Sequence, residues 1–144
     1  REWHNRYADK GLTIVGVRVP AYAAKQSAFL IQAWDWLEST AAMLRLSAAV
    51  MLGDLNASAA SPDSRGGGHF RRILASGWQR AAPAEVATYF GHGGRTSVID
   101  HIVATERCIL SEAACVKSAK GFAFCDAQDA LSDHAALRCR VELR

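Results

Sequence analysis

The stretch Val50-Met51-Leu52-Gly53-Asp54-Leu55-Asn56 constrains this chain more than any other. An apolar run leads into a glycine, and an acid and an amide follow two residues apart. Side chains two apart on a strand point the same way. Asp54 and Asn56 are therefore expected side by side at the end of a strand, where a buried sheet gives way to loop. A turn is the competing reading, because Gly-Asp and Asn are ordinary turn residues. The rest of the chain decides between a site and a turn.

The segments around this stretch read as alternating strands and helices. Residues 1–10 are polar with two aromatics, a lead-in. Leu12 to Val19 is β-branched and apolar on both faces, which predicts a central strand covered on both sides. Pro20 stops it. Arg18 is a charge near the end of that strand, either snorkelling to the surface or contacting a phosphate. Ala23 to Leu46 carries Leu30, Ala33, Leu37, Ala41 and Leu44 at steps of three and four, one buried helical stripe widened by Trp34, with Trp36 at its margin. Ala57 to Gly68 is loop. Its triple glycine lacks the Lys-Ser/Thr of a phosphate-binding loop. His69 to Ala75 is a short helix closed by Gly77, and Ala87 to Phe90 a short strand. Ser97 to Ala104 is the next strand, with Val98, Asp100 and Ile102 on one face and Ile99, His101 and Val103 on the other. Asp100 thus sits among apolar neighbours, where a carboxylate is costly without a partner. His101, on the opposite face, reads as a packed histidine. Cys108 to Ala119 is a further strand, 121–130 a loop, and Ala135 to Leu143 the last strand.

Composition narrows the function classes. A chain of 144 residues, half of them hydrophobic, is one ordered domain. Its net charge of +3 suits a phosphate-bearing substrate and tips the balance slightly toward nucleic acid, but no Lys/Arg run forms a nucleic-acid tail. Cys108, Cys115, Cys125 and Cys139 show no CxxC spacing, so no zinc site is expected. They are two disulfides or four thiols packed as small hydrophobes, and thiols are favoured. No apolar stretch approaches the length of a membrane span and no signal peptide is read, so the expected location is the cytoplasm. The excess of Arg over Lys and the abundance of Ala suggest a GC-rich bacterial source.

Three stretches stand in order: Gly-Asp-Leu-Asn at 53–56, Ser-Val-Ile-Asp-His-Ile at 97–102 and Ser-Asp-His at 132–134. Each sets a carboxylate at a strand edge, and the last two offer an Asp and a His from different strands, the pairing that fixes an imidazole's tautomer. Together they resemble the last three motifs of the endonuclease/exonuclease/phosphatase superfamily, metal-dependent phosphoesterases that include apurinic endonucleases and DNase I-like nucleases. Val17-Arg18-Val19-Pro20, the long helix after it, Gly77-Trp78 and Thr88-Tyr89 add matching context. The resemblance implies a role for each residue. Asp54 orients or deprotonates the attacking water, and Asn56 holds a phosphate oxygen. Asp100 hydrogen-bonds the catalytic His134, which sits by the scissile phosphate. Asp133 lies at or near the divalent metal. Arg18 stands where the family has His, Tyr or another polar group, which leaves a phosphate contact plausible. Carboxylates and amides are hard oxygen ligands, suited to Mg²⁺ or Mn²⁺ rather than zinc.

The fold implied is α/β: half of a four-layer α/β/β/α sandwich, with a mainly antiparallel sheet and helices on one face. Residues 1–144 resemble the C-terminal half of such a domain. The first half ordinarily brings an early Asn and the principal metal-ligand Glu, and here only Asn5 and Glu2 precede Leu12. Three cases follow. The chain is a piece of a longer enzyme, a short form that recruits a partner half or forms a homodimer, or a remnant that binds without catalysing. The expected activity is hydrolysis of a phosphoester, nuclease slightly favoured. The alternative is a catalytically inactive half-domain acting as a binding or dimerisation module.

Overall fold

The computed structural model describes residues 4–7 (backbone), 11–21, 28–61, 66–81 and 86–144. Glu2 and positions 23–27 of the expected helix lie outside the described residues. The first element corrects the sequence reading of a lead-in. His4–Tyr7 forms a strand, β1, antiparallel to β2, Leu12–Arg18. Its four residues make an edge strand, too short to announce itself by alternation.

The helix α1, Ala28–Leu44, follows β2 and buries Leu30, Trp34, Leu37, Thr40 and Ala41, the expected stripe with Ala33 at its edge. Trp36 stays partly exposed, as its place off the stripe requires. The chain then returns as β3, Ala48–Asp54, parallel to β2. A crossover helix between two parallel neighbours is the connection such a pair needs. The second helix, α2, spans Gly67–Ala75. It turns out through Ser76, whose hydroxyl and backbone N–H both donate to the Ile73 carbonyl. β4 (Gln79–Arg80) is followed by the hairpin of β5 (Tyr89–Gly91) and β6 (Arg95–Ser97), and then by β7, Asp100–Ala104. The main sheet has the order β1-β2-β3-β7-β4, antiparallel everywhere except β2–β3. The remaining strands are β8 (Cys108–Val116), β9 (Ser118–Ala119), β10 (Phe122–Ala123) and β11 (Ala136–Leu143). β8 and β11 pair as a separate antiparallel ribbon. The strand expected over 108–119 is broken at Lys117, and the expected loop at 121–130 begins as β10, hairpin partner of β9.

The period of two along each strand splits the interior into two cores. Val15, Ala49, Met51 and Val103 face the helices and pack with Trp34, Leu37, Phe70 and Ile73. Val50 and Ala104 face the other way, meeting Cys108, Leu110 and Val141 of the ribbon. The ribbon covers only that end of the sheet. Gly16 and Arg18 are therefore exposed, and β2 is not the doubly covered strand its composition suggests. Beyond the ribbon the second face opens to solvent, and the polar strand ends lie there.

Gly53 makes the close β2–β3 approach possible. Its φ is +137°, and a Cβ there would overlap the Val17 carbonyl oxygen. The strand expected across 97–104 is also interrupted, because Val98 and Ile99 separate β6 from β7. All four cysteines are free thiols.

Candidate active site

Sheet register assembles the site. Arg18 lies opposite Asp54 across the parallel β2–β3 pair, and Asp54 lies opposite Asp100 across the antiparallel β3–β7 pair. A cation and two carboxylates thus form one row across three adjacent strands, on the open end of the second face. The inner rows, Leu52 with Ile102 and Val50 with Ala104, are apolar.

His134 comes to this row from the segment before β11. An isolated antiparallel bridge to Tyr89 fixes its backbone, and the Tyr89 ring meets the imidazole edge-on at 5.2 Å between centroids. His134 Nδ1 is 2.9 Å from Asp100 Oδ2. With Asp100 ionised, Nδ1–H donates and Nε2 is left free for chemistry. Asp54 and Asp100 are equally sheltered, their side chains 15% exposed. Burial raises the Asp54 pKa, and the Asp100 charge opposite pushes the same way. The Asn56 backbone N–H, His134 and Arg18 oppose the rise.

Asn56 stands beyond the strand with φ +47°. Its backbone N–H donates to Asp54 Oδ1 at 3.0 Å, and Nδ2 donates to Asp54 Oδ2 at 3.0 Å and to the Val19 carbonyl at 2.7 Å. Both side-chain amide hydrogens are directed inward, so Asn56 braces Asp54. In this arrangement only its amide oxygen remains for another partner. Arg18 reaches outward, its side chain 86% exposed and Nε 4.0 Å from Asp54 Oδ2. Asp133 is at the rim, 57% exposed, with Oδ1 3.8 Å from His134 Nε2.

Asp54, Asp100 and His134 each offer one ligand atom, all within 4.8 Å of one another. These are two carboxylates with an imidazole, and the Asp100 charge already strains the ionisation of Asp54. A divalent cation would relieve that repulsion, so the residues fit one. Asp133 is not part of this cluster. The site opens into a broad cleft, where Ser58, Ser61 and Tyr89 join the charged row. Tyr89 is the residue the sequence reading left unassigned. Its signal was only its position in Thr88-Tyr89.

His101 faces the helix core, as its alternation with Asp100 predicts. Nε2 donates to the Ala57 carbonyl at 2.7 Å, and the ring lies 4.4 Å from Phe70. Burial drives its pKa from 6.5 to about 4. The Arg80 charge adds to the fall, while the hydrogen bond to Ala57 and the Asp100 charge oppose it.

This is the fold of known nucleases. An AP endonuclease from Archaeoglobus fulgidus superposes with a TM-score of 0.64 at 20% identity, over 93% of this chain and 63% of that one. A 3′-5′ exonuclease from Neisseria meningitidis superposes with a TM-score of 0.61 at 18% identity, over 93% of this chain and 62% of that one. The chain spans less than two thirds of the length of these structures. No protein-family model matches the chain, and no curated protein matches it. The three motifs and the structural likeness lead independently to the same α/β architecture. Among the described residues no helix is long and apolar enough to cross a membrane.

Proposed function

We propose that this chain bears the active site of a metal-dependent phosphodiesterase acting on nucleic acid. The observation that carries the reading is the Asp100–His134 pair beside Asp54 in one cleft. Both structural neighbours are nucleases by name, which favours a polynucleotide among phosphoesters.

Asp54 and Asp100 would hold Mg²⁺ or Mn²⁺, which when bound would supply charge neutralisation at the phosphate. Asp54 orients the attacking water and accepts its proton. Asn56 keeps that carboxylate in one orientation through both of its oxygens. Asp100 fixes the His134 ring with Nε2 toward the cleft, where a protonated imidazole stabilises the charge developing on the phosphoryl oxygens. Arg18, exposed at the cleft edge beside Asp54, would take a neighbouring phosphate. Four free thiols fit a reducing compartment, the cytoplasm.

A second reading, a binding or dimerisation module without turnover, has one observation in its favour. Two of the three candidate ligands are already hydrogen-bonded to each other. One experiment separates the two. Plasmid DNA and bis-p-nitrophenyl phosphate are offered to the 144-residue chain with Mg²⁺ or Mn²⁺, with EDTA, and to His134→Ala beside it. Metal-dependent cleavage that EDTA and His134→Ala abolish supports the hydrolase. DNA binding or a stable dimer in light scattering, with no cleavage in either metal, supports the module.

A further inference from the structure

We propose that Thr88 is the positioning residue of the Asp100–His134 pair, through hydrogen bonds that tie both members to one buried side chain and its backbone. Thr88 is almost fully buried. Its Oγ1 accepts the backbone N–H of Ile99 at 3.1 Å and of Asp100 at 3.0 Å. These two donors lie where the chain passes from β6 into β7. A hydroxyl thus replaces a missing strand partner at the residue that carries the carboxylate. The Thr88 backbone does the rest. Its N–H donates to the Ser97 carbonyl at 2.9 Å, and its carbonyl accepts the Ala135 N–H at 2.8 Å, beside His134. Residues on either side continue the seam, through the Tyr89–His134 bridge and the Phe90 N–H on the Asp133 carbonyl at 2.7 Å. One residue therefore sets where Asp100 begins its strand and where His134 meets it.

The other end of β7 supplies a matched comparison. Thr105 is also fully buried, and its hydroxyl donates to the Ser47 carbonyl at 2.6 Å and accepts the Ala49 N–H at 3.2 Å. It makes the same kind of brace with no connection to the Asp–His pair. Removing each hydroxyl separates positioning from stability.

The test compares Thr88→Val, Thr88→Ser and Thr105→Val by two readouts. The first is the His134 Nδ1–H signal in nitrogen NMR of the imidazole, which needs no turnover. The second is hydrolysis of bis-p-nitrophenyl phosphate, and this arm alone rests on the proposed function. Thr88→Val is expected to lose the Nδ1–H signal and to lower kcat about tenfold or more, with KM changed less than about twofold. Thr88→Ser retains both, and Thr105→Val retains both while unfolding at lower denaturant. If Thr88→Val does not fold, Thr88→Cys, with a weak sulfur acceptor in the same place, is expected to weaken the same signal. A full Nδ1–H signal in folded Thr88→Val or Thr88→Cys, or equal loss in Thr105→Val, overturns the proposal. A wild-type chain that hydrolyses nothing yet shows the Thr88-dependent signal refutes the proposed function and leaves the positioning intact.

Discussion

Acid should destabilise this protein through His101, by an amount the structure sets. The imidazole is 4% exposed and its pKa falls from 6.5 to about 4. The folded state therefore binds fewer protons than the unfolded state between those values. Its contribution is fully present above pH 6.5 and is lost as the pH drops toward 4. A shift of this size corresponds to about 3 kcal/mol in full, of which roughly 2.5 kcal/mol is gone by about pH 4.5. Other groups titrate over the same range, so the measurement is a difference. Urea unfolding of wild type and His101→Leu is followed from neutral pH down to about 4.5. At neutral pH the variant is less stable by about 1–3 kcal/mol, because the Ala57 carbonyl loses its donor. Leucine carries no proton, so the gap should close on acidification and reach zero or change sign near the acid end. A gap that stays constant across the range would refute the argument, since it would mean the ring charges as readily inside as outside.

Other expectations concern the cleft and its scaffold. His134→Ala and Asp54→Ala should each lower phosphodiester hydrolysis about a hundredfold or more, with the fold unchanged by circular dichroism. Wild-type rates in both variants would remove them from the site. Gly53→Ala should cost about 2 kcal/mol or more in urea unfolding, because its φ and the Val17 carbonyl both exclude a side chain. Arg18→Ala should leave stability within about 0.5 kcal/mol, as its exposure implies. In salt titrations of oligonucleotide binding, it should reduce the slope by about one ion. An unchanged slope would deny Arg18 a phosphate.

The site residues were legible because their signals are local. Alternation alone separates Asp100 from His101, and the structure has one in the cleft and the other against Phe70. The buried stripe of α1 is equally plain, since it repeats over several turns. What escaped the sequence depends on partners distant in the chain. The edge strand β1 exists only because β2 lies beside it. The exposure of β2 at Gly16 and Arg18 depends on how far the β8–β11 ribbon extends, which no apolar run encodes. Asn56 was read as extended, yet it turns to a positive φ and directs its amide inward, toward the Val19 carbonyl just beyond the end of β2. The break before β7 depends on a threonine hydroxyl eleven residues earlier in the chain.

The side-by-side placement of Asp100 and His101 has a consequence for folding fidelity. A slip of β7 by one residue exchanges its two faces. The carboxylate would then be driven against Phe70 and the imidazole expelled from its place under Ala57, while the cleft would lose the acid that His134 requires. Each misregistered state carries a stranded charge on one side and an orphaned carbonyl on the other. The polar pair therefore acts as a checksum on the strand. A chain that has formed the cleft correctly has, by the same event, verified the register of its core.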